Sequence, residues 1–407
     1  MKTENGKLKK YKLGEIATIY NGSTPSTKEA DNYDGNIIWA TPKDLSDQQS
    51  KYFYCGSRNI TEKGFNSCST QLIPANNILM SSRAPIGLFA INKVDCCTNQ
   101  GFKNIVLDKK IADVEYMYYF LKHHVKEIEA LGSGTTFKEV SKTSFEKYEI
   151  SIPSLLTQQK ISAVLSSLDD KIALNRRMNA KLEQMAKRLY DHWFVQFDFP
   201  NENGKPYKAS GGKMVWNETL KREIPDGWEV VCFADFIEIG NGKDHSKLPT
   251  GNIPVYGSGG FMRGVTNFLY DGESVLFPRK GTLNNIMYKN EKFWTVDTMF
   301  YSKMKISHSA IYVYYTAKQF DFVSMNTGTG VPSMTSVIIK GLPIIKPTQD
   351  ILDSYDESIQ PIYKKIHQNE KETQKLTALR DKLLPLLMNG QVEQGFRIIT
   401  SVQKNSC

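Results

Sequence analysis

Two turns in this sequence present cations at the end of an apolar strand. "ILMSSRAPIG" (residues 78–87) carries Ser82 and Arg83, and "SVLFPRKGTL" (residues 274–283) carries Arg279 and Lys280. Arginine and lysine hydrogen-bond guanine edges and neutralise phosphates, and a stiff strand beneath such a turn would aim them. A second pair of segments, "GSGTTFK" and "GTGVPSM", offers Thr135, Thr136 and Lys138, then Thr329 and Ser333. Small and hydroxyl residues there let the backbone come close to a phosphate. A third pair holds Ser23 and Thr24 in "NGSTP" and Lys243 and His245 in "GNGKDH". At each position a turn or solvated-loop role stands as an equal alternative to a ligand contact.

The bulk charge agrees with a polyanionic partner. Lys and Arg number 52 against 43 Asp and Glu, for a net charge of +9 and a pI near 9.0. Each phosphate neutralised releases condensed counterions. Many basic proteins nevertheless bind no nucleic acid, so charge alone does not decide.

Motifs for catalysis are missing, and the reading is of no catalytic residues and no metal site. "EIGNGKDHS" has Gly242-Lys243 but Ile237 where a phosphate loop needs its first glycine and Asp244 where it needs Ser or Thr. An adenine methyltransferase would need an Asn/Asp-Pro-Pro-aromatic segment, and the chain contains no Pro-Pro pair. "YGSGG" and "LGSGTT" lack the spacing of a dinucleotide loop and read as turns. His123-His124 has no second ligand pair nearby. The six cysteines show no C-x-x-C spacing and read as reduced packing residues. No run approaches the roughly 18 apolar residues of a membrane span, and the first residues lack the apolar core of a signal peptide, so the expected address is the cytoplasm and no membrane partner is expected.

The elements that must position these loops come in duplicate. "LGEIATIYNG" (Leu13 to Gly22) returns as "FADFIEIGNG" (Phe233 to Gly242), 220 residues on. "SGTTFKEVSKTSFEKYEISIP" (133–153) aligns without a gap on "TGTGVPSMTSVIIKGLPIIKP" (327–347), 194 residues on. Strand-and-turn chemistry fills each copy, with helical patterns at 114–131 and 309–325 in equivalent places. Repeated order with changed spacing implies two copies of one α+β domain.

The shift of 194 continues into two long helical patterns. Ile161, Leu165, Leu168, Ile172, Asn175, Asn179, Leu182, Ala186 and Leu189 form a seam at steps of three and four. Its copy runs Tyr355, Ile359, Ile362, Ile366, Asn369, Thr373, Leu376, Arg380 and Leu383. Each pattern covers about 40 residues, roughly 60 Å of helix. Pro153 and Pro347 mark the entries and "MNG" at Met388 to Gly390 a stop, while Pro361 should bend the second helix or delay its start and Pro385 should kink its last turn. Chain order makes the helices antiparallel, since a parallel pair would have to carry the chain back across the whole length. Asn175 and Asn369 then fall near mid-helix, with two readings open: a polar seam pair that sets register at a cost in stability, or residues facing water.

These residues resemble a known family. The duplicated domains, the helix "IPSLLTQQKISAVLSSLDDKIALNRRMNAKLEQMAKRLYDHWF" and the connector "FDFPNENGKPYKASGGKMVWNETLKREIPDGWEV" are similar to the specificity subunit of type I restriction-modification systems. The resemblance implies an α+β protein with two similar target recognition domains separated by a pair of long antiparallel helices, a coiled-coil spacer. The corresponding boundaries are 1–153 for the first domain, 154–194 for the first spacer helix, 195–224 for a connector, 225–347 for the second domain, 348–390 for the second helix and 391–407 for a tail. In that family each domain reads one half of a split DNA site and the spacer sets the gap. The implied partners are double-stranded DNA, two methyltransferase (modification) subunits and restriction subunits with ATPase and nuclease activity. S-adenosylmethionine, ATP and Mg2+ would belong to those partners, with no cofactor in this chain. The exposed spacer faces, including Arg176, Arg177, Lys181 and Lys187 beside Asn175, Asn179 and Asn369, would dock the modification subunits. Two rival readings are a self-contained DNA methyltransferase or nuclease, and a coiled-coil interaction protein without nucleic acid.

Overall fold

Short β-branched and aromatic runs, punctuated by Gly, Pro, Asn and Asp, form the strands that their pattern predicts. The computed structural model describes residues 8–47, 50–134, 138–328 and 330–391. The chain up to Arg177 and from Asn369 onward builds one unit, and Met178 to Gln368 builds the other. In the first unit a five-stranded sheet runs in the order Ala17–Asn21, Phe102–Leu107, Ile78–Ser82, Ile86–Asn92, Tyr52–Phe53. A three-stranded sheet joins Arg58–Ile60, Tyr33–Ala40 and Cys97–Thr98, and Lys9–Lys12 pairs with Glu149–Ile152. In the second unit six strands run in the order Ile237–Asn241, Met299–Met304, Tyr270–Pro278, Met287–Thr295, Thr250–Gly257, Gly260–Val265.

Strand register establishes the duplication residue by residue. Lys9 faces Ile152 and Glu229 faces Lys346, shifts of 220 and 194 residues. Ala17 faces Leu107 and Ile237 faces Met304, shifts of 220 and 197. Leu79 faces Asn104 and Leu276 faces Tyr301, both 197 residues on. A one-residue slip would turn every apolar side chain to the wrong face, so a shared register is a shared design. It also corrects the sequence alignment of the basic turns by one position. Arg83 corresponds to Lys280, and Arg279 stands in the place of Ser82, because strand pairing rather than the arginines sets the register.

Two helical expectations are revised. The pattern at 114–131 is two helices, Val114–His123 and Val125–Ala130, broken at His124, whose Nδ1 lies 2.8 Å from the Phe120 carbonyl. The pattern at 309–325 yields only Ala310–Ala317, after which Asp321 accepts a hydrogen bond from Val323 N at 3.1 Å and turns the chain while Phe322 enters the core. Among the described residues all five cysteines are free. Burial pushes the Cys96 thiol up to about 12 and Cys97 to about 11, which suits packing residues, but Cys55 and Cys232 are exposed and do not pack as expected.

The long helices are Leu155–Tyr190, followed by a π-helical turn Asp191–Val195, and Gln349–Met388. Every residue of both predicted seams is buried or half-buried. In the first unit Ile161 and Leu165 share a core with Leu383 and Leu387; in the second Ala186 and Tyr190 share one with Leu352, Tyr355 and Ile359. Within each unit the helix segments are antiparallel, since early residues of one meet late residues of the other. Each large side chain so buried contributes about 1.5–3 kcal/mol. The second helix starts at Gln349 and continues through Pro361 and Pro385, so Pro361 does not delay it. Pro361 and Glu357 are exposed, which leaves the Glu357 carbonyl that loses its donor on a solvated face. The helix ends as "MNG" predicts: Gly390 has φ +76°, Gln391 N donates to Leu386 O at 2.9 Å and Gly390 N to Leu387 O at 3.3 Å.

Candidate nucleic-acid interface

Antiparallel pairing brings four chain segments of each unit to one end of its sheet, and backbone hydrogen bonds lace them together. In the first unit Ser23 N donates to Thr98 O at 2.9 Å, Ser82 N to Gly101 O at 2.7 Å, Val140 N to Ser82 O at 3.1 Å and Ser133 N to Glu139 O at 3.1 Å. The second unit repeats the lacing: Lys243 N to Thr295 O at 2.9 Å, Arg279 N to Thr298 O at 2.8 Å, Met334 N to Arg279 O at 2.8 Å and Thr327 N to Ser333 O at 2.9 Å. Glycine is demanded at Gly22 and Gly242, where an added Cβ would stand 1.9 Å from Asn99 O and Val296 O respectively. Tryptophan braces the residue that follows. Trp39 Nε1 donates to Ser23 O at 3.1 Å and Trp294 Nε1 to Lys243 O at 2.8 Å, although the two indoles stand on strands that do not correspond.

The three pairs of segments singled out in the sequence therefore do converge, once per unit. In the first unit Arg83 is half-exposed and Lys138 exposed. Arg83 Nη1 lies 3.9 Å from Glu139 Oε2, and the nearly buried Lys103 Nζ lies 3.0 Å from Glu139 Oε1. Ser82 is fully buried, with its hydroxyl 3.4 Å from Lys103 Nζ, so it supports the turn instead of meeting a ligand. Thr24 hydrogen-bonds Gln100, and Ser23 is half-exposed beside it. Thr135, Thr136 and Thr329 lie outside the described residues.

The second unit presents its cations differently. Lys243, Arg279 and Lys280 are exposed, and among the described residues none of them has a carboxylate within ion-pair distance. The Arg279 guanidinium stands 5.9 Å from the Phe300 ring, and Phe300 occupies the place of Lys103. Lys280 bridges to Ser333, which is half-exposed. Of the two roles open to His245, the structure shows the loop one, with the residue half-exposed. Its Nδ1 accepts from Arg263 Nε at 3.0 Å and its carbonyl also receives Arg263, which donates to Leu248 O at 3.0 Å as well, so His245 anchors its loop. Sequence reasoning missed Lys103, Glu139 and Arg263; a lysine inside the apolar run "GFKNIVL" was the one available signal.

Along the helices, Asn175 and Asn369 are buried, at 1% and 2% exposure, and so do not face water. Asn175 Nδ2 donates to Glu372 Oε2 at 2.8 Å and Asn179 Nδ2 to Ile366 O at 3.2 Å. Arg176, Arg177, Lys181 and Lys187 are exposed, and Lys187 pairs with Asp191. Arg176 also lines a cleft in the first unit of about 240 Å3 with Lys51, Lys122, Asp169, Asp170 and Arg380. Among the described residues no group of three or more His, Cys, Asp or Glu side chains is placed to hold a metal ion, and no helix is long and apolar enough to cross a membrane.

Comparison with known proteins gives a consistent family. The model for the type I restriction modification DNA specificity domain matches residues 5–184 and 225–378. The chain is 32% identical to the type I restriction enzyme MjaIX specificity subunit of Methanocaldococcus jannaschii, over 96% of this chain and 95% of that one. It is 24% identical to the HindI specificity subunit of Haemophilus influenzae, over 94% and 99%. The crystal structure of a type I restriction-modification S subunit from M. genitalium shares the fold, with a TM-score of 0.61 at 17% identity over 95% and 97% of the two chains.

Proposed function

This chain belongs to the type I restriction-modification DNA specificity family, and we propose on that premise that it is the sequence-reading subunit of such a complex and is not itself catalytic. Each unit reads one half of a bipartite site in double-stranded DNA through the laced end of its sheet. Arg83 and Lys138 in the first unit, and Lys243, Arg279, Lys280 and Ser333 in the second, supply base-edge and phosphate contacts. Thr135, Thr136 and Thr329 stand in the same sequence segments, "GSGTTFK" and "GTGVPSM". The carrying observation is that one backbone lacing holds two different sets of cations, half-exposed Arg83 with exposed Lys138 in one unit and exposed Lys243, Arg279 and Lys280 in the other. A shared frame with unlike side chains suits two half-sites of unlike sequence.

The paired helices set the gap, with Asn175, Asn179 and Asn369 fixing their register. Their exposed faces, including Arg176 and Arg177, dock two modification subunits, and restriction subunits complete the assembly in the cytoplasm. S-adenosylmethionine, ATP and Mg2+ serve those partners.

The test is methylome sequencing of a host carrying this chain with its modification subunits. Modified adenines should spell a two-part motif with a fixed gap. Binding to that motif should fall log-linearly with salt while staying tighter than binding to unrelated DNA. Methylation by the purified chain alone would overturn the noncatalytic reading.

A further inference from the structure

Beside the cationic turn of the second unit stands a hairpin tip that the DNA-reading proposal does not use. Strands Thr250–Gly257 and Gly260–Val265 are joined through Ser258 and Gly259, and the tip exposes Phe261 (60%) and Met262 (54%) side by side. Strand alternation should hide one of two neighbours. A bulge prevents it: Val255 faces Arg263 and Tyr256 faces Phe261, which leaves Met262 as the extra residue.

The tip is braced against the reading loops. Asn285 Nδ2 donates to Ser258 O at 2.7 Å, Val296 N donates to Tyr256 O at 3.1 Å, and a Cβ on Gly281 would stand 2.7 Å from Ser258 Oγ. Gly281 directly follows Arg279 and Lys280. Phe261 packs edge-on to Tyr256 at 6.5 Å, and Lys289 Nζ lies 4.7 Å from the Tyr256 ring. Two large apolar side chains are thus held exposed on a tip tied to the loop that follows Arg279 and Lys280, with Lys289 over the Tyr256 ring behind Phe261.

Resting on the DNA-reading proposal, we infer that Phe261, with Met262 beside it, is an apolar wedge that enters the base stack within the half-site of the second unit. Exposed apolar surface of this kind costs solubility unless it is covered, and the neighbouring Lys243, Arg279 and Lys280 favour a polyanion as the cover. Phenylalanine and methionine are side chains that proteins drive between base steps, with nearby cations holding the phosphates. The first unit builds this place otherwise. Between Trp39 facing Arg58 it has residues 40–57, whereas between Val255 facing Arg263 the second has only 256–262. The wedge therefore acts on one half-site alone.

The experiment uses the full chain with its modification subunits and duplexes of the methylated motif. 2-Aminopurine is placed in turn at adenine positions other than the methylated one. Wild-type complex should raise fluorescence at one step in one half-site, Phe261→Ala should abolish that rise and weaken binding on the order of ten-fold, and Phe261→Trp should restore both. Since Phe261 is exposed, Phe261→Ala should melt like wild type. Specific wild-type binding with an unaltered Phe261→Ala overturns the wedge alone. A wild type with no preference for the motif overturns the DNA-reading proposal and the wedge with it.

Discussion

Arg380 Nη1 lies 2.7 Å from Asp169 Oδ1, at a seam position where the helical pattern calls for an apolar residue. The partner explains the exception: Asp169 also accepts from Tyr119 Oη at 2.6 Å, and both charged side chains are largely buried, at 22% and 14% exposure. Arg380→Ala would strand Asp169 with one donor and should cost about 3 kcal/mol by urea denaturation. Arg380→Met combined with Asp169→Leu should regain most of that loss. An Arg380→Ala midpoint equal to wild type would show that the pair carries no stability.

Gly22→Ala and Gly242→Ala should each disable one half-site. The added methyl would collide with a backbone carbonyl 1.9 Å away, so the loop must move off the sheet end. Methylome sequencing should find the first variant blind to one half of the motif and the second blind to the other. Loss of both halves from either substitution would contradict independent reading.

Glu139→Gln should move affinity and stability in opposite directions. Glu139 neutralises both Lys103 and Arg83, so its removal releases positive charge toward DNA and should steepen the salt dependence by about one counterion. The nearly buried Lys103 then lacks its carboxylate, a cost of about 1–3 kcal/mol. Salt-dependent anisotropy and thermal melting measure the two effects separately.

Asp44 ties the loop between the first unit's corresponding strands. Burial by itself would push its carboxyl up, but donation from Thr41 and Ser57 outweighs this and holds it below the usual 3.8. The Thr41 N, Thr41 Oγ1 and Ser57 N donors lie at 2.7, 2.6 and 2.8 Å. Because the folded value is depressed, the stabilisation is complete above the unfolded value and fades as pH falls through the folded one. Asp44→Asn should lower stability at pH 7 by about 1 kcal/mol and flatten its decline below pH ~4. An unchanged acid limb in urea titrations would refute this.

Asn175→Leu together with Asn369→Leu should raise the melting temperature while loosening the spacer. Among the described residues Asn175 Oδ1 is buried without a partner, a penalty that leucine removes. Methylation at motifs with more than one gap length is the expected consequence of lost register. A single unchanged gap would assign the asparagines no part in setting it.

Period and order in the sequence were enough to locate the duplication, the seam and the helix stop at Gly390. Each reports a local face: apolar steps of three and four must be buried somewhere, and shifts of 220 and 194 carry register without any knowledge of the partner strand. For Lys243, Arg279 and Lys280 only their exposure was legible, because a cation on a turn after an apolar run has few buried places to go.

What a side chain meets across the fold was not legible. Ser82 and Arg83 are neighbours in the chain, yet one is buried and the other half-exposed beside Glu139, 56 residues on. His245 is occupied by Arg263, and Phe261 stands exposed because a bulge interrupts alternation. Such outcomes depend on which strands pair and how closely loops approach. Those are long-range choices made by closure of the sheet, and no local spacing encodes them.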